Sequence, residues 1–209
     1  EPEKIGIYSN SMNKLDVLHF NSDSLLYVKT LHFPLWNKQR GIPKAYTRLI
    51  QYNDSLFIGT SFMPKEISVE LMNLKTEKVV NSVNFTLKPK EGEYSRPYEC
   101  KIATEMNFIV AAYRYINRLE IYKLSDQKFQ LNTIIGDANN QYDLYRLNKD
   151  NEMILHYSDI VCGKNQIYAL YRGVKEKELS SANSKIEVYS YDGTHLRTFD
   201  LGRSIEKIL

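Results

Sequence analysis

Residues 185–202 read KIEVYSYDGTHLRTFDLG. Apolar and polar residues alternate, Asp192-Gly193 supplies a tight turn, and a second short extended run comes back through Leu196 and Phe199. Asp-Gly between two alternating runs marks a β-hairpin, because it accepts the backbone that a tight turn demands. The cassette recurs. An aliphatic residue, an acid, an aliphatic residue, two variable positions and a large apolar residue appear as Leu15-Asp16-Val17 with Phe20, Val69-Glu70-Leu71 with Leu74, Leu119-Glu120-Ile121 with Leu124, and Ile186-Glu187-Val188 with Tyr191. Upstream of three copies a second block aligns without a gap: YTRLIQYNDSLFIG from Tyr46, YECKIATEMNFIVA from Tyr98 and YSDIVCGKNQIYAL from Tyr157. Each block reads as two strands and a turn. The tyrosines stand 52 and then 59 residues apart, the period of a repeat built from one four-stranded unit, and all-strand repeats of that length are propeller blades.

Composition sets the bounds. A chain of 209 residues with 43% apolar content buries a sizeable core, and one all-β domain over residues 1–209 is the expectation. The net charge of +3, from 28 basic and 25 acidic residues, forms no stripe, so nucleic acid is not an expected partner. No apolar run approaches the ~20 residues of a membrane span, and no signal peptide opens the sequence. Cys100 and Cys162 occupy the third and sixth positions of the aligned block, on opposite faces of a strand, and are expected as free thiols.

In chain order, residues 4–9, 15–20 and 25–33 supply the second, third and fourth strands of a first blade whose first strand is missing. A Pro- and Gly-punctuated loop, residues 34–44, leads to a second blade over 46–87, and another loop, 88–97, leads to a third over 98–136. A long connection, 137–155, precedes a fourth blade over 157–202, which carries an insertion of about eight residues around 174–183. Residues 204–209, SIEKIL, read as the opening strand of a further blade. Two architectures fit: a closed four-bladed ring, or four blades of a longer ring.

IYALY (167–171) with SKIEVYSYDGTHLRTFDLG (184–202), and GIPKAYTRLIQYNDSLFIGTSF (41–62), resemble the TolB-like six-bladed β-propellers found in Bacteroidetes and, more distantly, the NHL-type propellers. The resemblance covers nearly the whole chain, which has room for only four full blades. It implies a location in the cell envelope or outside the cell, often through a lipid anchor, and a role in binding. It brings no catalytic residues with it.

Signatures of common chemistry are missing: G-x-S-x-G, H-E-x-x-H, the P-loop and G-x-G-x-x-G do not occur. No catalytic set, metal site or cofactor is therefore expected. Among the four histidines, His156 stands out, two residues from Ser158 and three from Asp159. With Tyr46, Tyr98, Glu99, Tyr157 and Asp159 it forms the set expected at the channel mouth. The recurring acids are expected on the outer part of each blade, pairing across strands with Lys or Arg. Binding residues of a propeller concentrate on loops of one face. That face gathers Trp36, Lys38, Arg40, Phe62, Tyr94, Arg96, Tyr113, Arg114, Tyr115, Tyr142, Arg146, Tyr171 and Arg172, and aromatic residues interleaved with arginines compose interface anchors. The first reading is thus a non-catalytic module binding a protein or peptide. Glycan binding or glycan-active chemistry, which needs acids converging at the channel mouth, and a structural segment of a larger propeller stand beside it.

Overall fold

Alternating runs broken by turn residues fold as successive antiparallel strands, each hydrogen-bonded to the one before it. The computed structural model describes residues 4–9, 14–21, 24–32, 36–37, 42–43, 46–53, 55–63, 66–73, 75–76, 78–87, 96–137 and 152–208. Strands β1 (Lys4–Ser9), β2 (Lys14–Asn21) and β3 (Ser24–His32) make a three-stranded sheet in chain order. A two-residue ribbon follows, β4 (Trp36–Asn37) on β5 (Ile42–Pro43). Three four-stranded meanders complete the described fold: β6 (Tyr46–Gln51), β7 (Leu56–Met63), β8 (Glu66–Asn73) and β9 (Lys78–Asn84); β10 (Cys100–Glu105), β11 (Phe108–Tyr113), β12 (Arg118–Ser125) and β13 (Lys128–Gly136); β14 (Ile154–Cys162), β15 (Ile167–Lys175), β16 (Lys185–Tyr189) and β17 (His195–Asp200). The first sheet thus has the three strands expected of it, and each later sheet has four.

Three boundaries differ from the sequence reading. Tyr98 sits in a 3-10 turn, Arg96–Tyr98, ahead of β10, because Pro97 lacks the N–H that a ladder needs. Strand β14 begins at Ile154, so His156 lies within it instead of preceding it. Residues 204–208 join no ladder; side chains hold them instead, with Ser184 Oγ accepting from Ile205 N at 2.7 Å and Asp159 Oδ2 accepting from Ile208 N at 3.0 Å.

One irregularity is common to all four sheets. Between the last two strands of each sheet the register shifts just after the aliphatic residue that follows the acid, at Val17/Leu18, Leu71/Met72, Ile121/Tyr122 and Val188/Tyr189. The outer strand contributes the extra residue: Val28, Val80, Asn132 or Leu196. These are β-bulges, which bend a strand and increase its twist.

The chain forms two compact units, residues 1–85 and 86–209. In the first, buried Leu15, Tyr46, Phe57 and Met72 pack together, with Val17 and Leu31 against them. In the second, Val110, Ala112, Leu119 and Ile121 meet Tyr157, Ile160, Ile167 and Ala169, so two sheets share one apolar layer. Cys100 and Cys162 are partly buried thiols outside any disulfide, and burial pushes the Cys100 thiol pKa up, as for a small hydrophobe.

Candidate functional site

Two of the recurring acids are buried, where outer positions were expected, and the other two are partly exposed. Glu70 is 4% exposed and Glu120 is wholly buried. The hydroxyl of Tyr46 donates to Glu70 Oε2 at 2.7 Å. Tyr157 donates to Glu187 Oε2 at 3.2 Å, and Tyr189 donates to the same oxygen at 2.8 Å. Burial raises the pKa of Tyr46 and Tyr157, so both phenols stay protonated and donate. In these two sheets the tyrosine opening the block therefore closes on the acid of its own sheet, and the expected channel-mouth residues Tyr46 and Tyr157 are committed to the core; Tyr98 is buried as well.

This closure needs space. Across the ladder the acid faces Gly59 at Glu70, Ala111 at Glu120 and Ala169 at Glu187. At Gly59 an added Cβ would lie 2.6 Å from Tyr46 Cδ1, so the ring occupies the room a side chain would take. Glu120 draws on other donors: Arg118 Nε at 2.8 Å, the Thr86 N–H at 3.2 Å, and the hydroxyls of Thr86 and Tyr122. In the first sheet Asp16 faces Ile7, and its carboxylate takes the Thr30 hydroxyl at 2.5 Å and the Lys14 ammonium at 3.1 Å. Asp16 and Glu120 thus each have a basic partner, in both cases from the same strand two residues away.

The second unit holds a cleft of about 500 Å³. Lys101 of β10, Arg114 just beyond β11 and Ser158 of β14 face it, with Leu155 supplying an apolar patch. Two walls come from segments outside the blade repeat. Glu176, Leu179 and Ser180 belong to the insertion of the fourth blade, and Ser204 and Glu206 to the segment after β17.

Buried Arg172, 5% exposed, ties those walls together. It donates to the carbonyl oxygens of Leu179 at 2.5 Å and Ile205 at 2.7 Å, and to Ser204 Oγ at 2.8 Å. Beside the cleft, Arg96 Nη2 lies 2.9 Å from both carboxylate oxygens of Glu176, and the Tyr115 hydroxyl donates to Glu176 Oε1 at 2.5 Å. Guanidinium carbons of Arg96 and Arg114 each stand 5.4 Å from the Tyr115 ring centre, a cation–π arrangement that favours a desolvated ring. Arg114 also pairs with Glu99 at 3.2 Å.

The structure therefore gathers Arg96, Glu99, Arg114, Tyr115 and Arg172 from the sequence candidates. It does not present them as a loop surface: Tyr113 and Tyr115 are fully buried, and Tyr171 and Arg172 belong to β15. Asp159, 8% exposed, anchors Ile208 as described. Arg40, Lys38, Tyr94, Tyr142 and Arg146 lie outside the described residues, as do the side chains of Trp36 and Phe62. Sequence reasoning missed Lys101, Glu176 and Ser204. The insertion itself was visible, and it was the available signal for Glu176.

His156 packs its ring 5.9 Å from that of Tyr171. Its Nδ1 is buried without a partner, and burial lowers its pKa against a smaller upward pull from Asp137. The unfolded chain therefore takes up the proton first, near the ordinary ~6.5. Stability is unpenalised above that value and falls as pH drops through it. Denaturation midpoints at pH 7.5 and pH 5.5 should show the loss, and His156→Gln should remove part of it.

Among the described residues no group of three or more His, Cys, Asp or Glu is placed to hold a metal ion, and no helix is long and apolar enough to cross a membrane.

Similar folds occur in solved structures. The WD40 domain of Toxoplasma gondii coronin matches with a TM-score of 0.53 at 7% identity, over 97% of this chain and 45% of that one. The β-propeller domain of Swd1 from Myceliophteria thermophila matches with a TM-score of 0.54 at 7% identity, over 91% of this chain and 57% of that one. The chain thus spans about half the length of those propellers, and the likeness is one of fold alone. A search of curated proteins finds no match. A family model described as TolB-like 6-blade propeller-like matches residues 1–209, and the chain belongs to that family.

Proposed function

We propose that the chain is a non-catalytic binding module that takes a protein segment or peptide, acting in the cell envelope or outside the cell. The observation that carries this reading is the cleft of the second unit. It joins cationic side chains, serine hydroxyls and a small apolar patch, a mixture suited to an extended chain with its amides and side chains. The recurring acids support it from the other side. Glu70, Glu120 and Glu187 are taken up by donors within their own unit, which leaves them unsuited to paired acid–base work on a glycosidic bond. Membership of the TolB-like family supports the envelope location.

A thermal-shift screen of the purified chain against short peptides and neutral oligosaccharides tests the proposal. A peptide present at a hundred times its dissociation constant adds roughly 2.7 kcal/mol to the folded state, an easily read shift. Stabilisation by sugars alone would overturn the peptide reading in favour of glycan binding.

A further inference from the structure

We infer that this cleft anchors a single carboxylate, the free C-terminal carboxylate of a peptide, between the Lys101 ammonium and the Arg114 guanidinium, with Leu155 and Leu179 receiving the last side chain; this rests on the peptide-binding reading above. Among the described residues the charges around the cleft do not cancel: Lys101, Arg96, Arg114 and Arg172 stand against Glu99, Glu176 and Glu206, four cations to three carboxylates. Glu176 is held by Arg96 and by the Tyr115 hydroxyl, so its charge is already compensated. Arg172 is occupied with carbonyl oxygens. Glu99 compensates Arg114 at one Nη1 contact, while Arg114 Nε is buried with no acceptor.

The Lys101 side chain makes no hydrogen bond or ion pair among the described residues, though the residue faces the cleft and is only partly exposed. An ammonium with no bonded counter-ion among those residues, beside a guanidinium with an unused donor, is the arrangement a carboxylate completes.

The rest of the lining decides between sources of that carboxylate. An acidic sugar would need an open aromatic face on which to stack, and the ring at this cleft, Tyr115, is fully buried with two guanidinium groups beside it. Leu155 packs with Met153 and Tyr115, and Leu179 lies against them, a floor suited to an aliphatic side chain. Ser158, Ser180 and Ser204 supply hydroxyls for the final peptide amides. Capture of a terminal carboxylate is a recurring mode of peptide recognition.

The test uses N-acetylated hexapeptides ending in Ala, Val or Leu, made once as free acids and once as C-terminal amides, with binding to the whole chain read by fluorescence polarisation. The acids should bind, and the amides should bind at least about tenfold more weakly, since the charged pair is lost. Lys101→Gln breaks no hydrogen bond or ion pair of the fold; it should weaken the acids by a similar factor without shifting the melting temperature. Arg114→Gln should weaken them too. Amides that bind as well as acids, or acids indifferent to Lys101→Gln, would sink the carboxylate anchor while leaving the peptide-binding module in place. Failure of both series would sink the two readings together, and binding of trigalacturonate in their stead would move the site to acidic glycans.

Discussion

Glu120→Ala should destabilise the chain by about 3–5 kcal/mol, the cost of breaking a buried ion pair from one side. Glu120 is wholly buried and Arg118 is 3% exposed. Removing the carboxylate strips Arg118 Nε of its partner, together with the Thr86 N–H and the Tyr122 hydroxyl. Arg118 keeps the Thr86 hydroxyl at 2.6 Å and the Asp137 carbonyl at 3.0 Å, but neither is charged. Glu120→Gln retains an acceptor and should cost less than half as much. Urea denaturation of both variants reads the difference. Equal, small losses would show that Arg118 reaches water once the acid is gone. A natural domain has only ~5–15 kcal/mol in hand, so the Ala variant stands close to unfolding.

Gly136→Ala should cost roughly 2–3 kcal/mol, again read by denaturation. Gly136 ends β13 at φ 87°, a left-handed backbone that side chains oppose. A Cβ there would lie 2.0 Å from the Asn117 carbonyl oxygen, and backbone cannot step aside as a flexible side chain can. That carbonyl also accepts from the Asp137 N–H at 2.8 Å, so any adjustment disturbs the contact Arg118 makes with Asp137. A loss below about 0.5 kcal/mol, the level of an ordinary surface change, would mean the turn relaxes freely.

Much of the fold is legible in the sequence because its signals are local. The Asp192-Gly193 pair makes the turn it announces, with Gly193 at φ 93° and Asp192 Oδ1 accepting from the Thr194 N–H at 2.9 Å. The aliphatic-acid-aliphatic cassette lies on the next-to-last strand of the three-stranded sheet and of each four-stranded one. The partners of the acids are not local. Tyr46 and Glu70 are 24 residues apart and Tyr157 and Glu187 are 30 apart, so strand alternation fixes which face the acid takes and leaves open what covers it. The small residue opposite Glu70 and Glu187, Gly59 and Ala169, was the overlooked cue that a ring must pass. The cleft was harder still. Its basic residues carried the right chemistry, but its walls are the insertion and the segment after β17, which lie outside the repeat and so have no period to reveal them. Arg172 was singled out for display to solvent, and its buried guanidinium instead joins those walls.

The bulge shared by the four outer strands bears on how each sheet edge would meet a foreign strand. Strand β3 exposes Leu25, Leu26, Tyr27 and Val28 by 47–64% and has Lys29 as its single full-time charge apart from the terminal His32, a composition that would welcome a foreign strand. The extra residue at Val28 breaks the even spacing of amide groups that such a newcomer would need, and Val80, Asn132 and Leu196 do the same on the other rims. Sheet growth outward meets an interrupted template. Each cassette thus carries, beside its own acid, the device that ends its sheet.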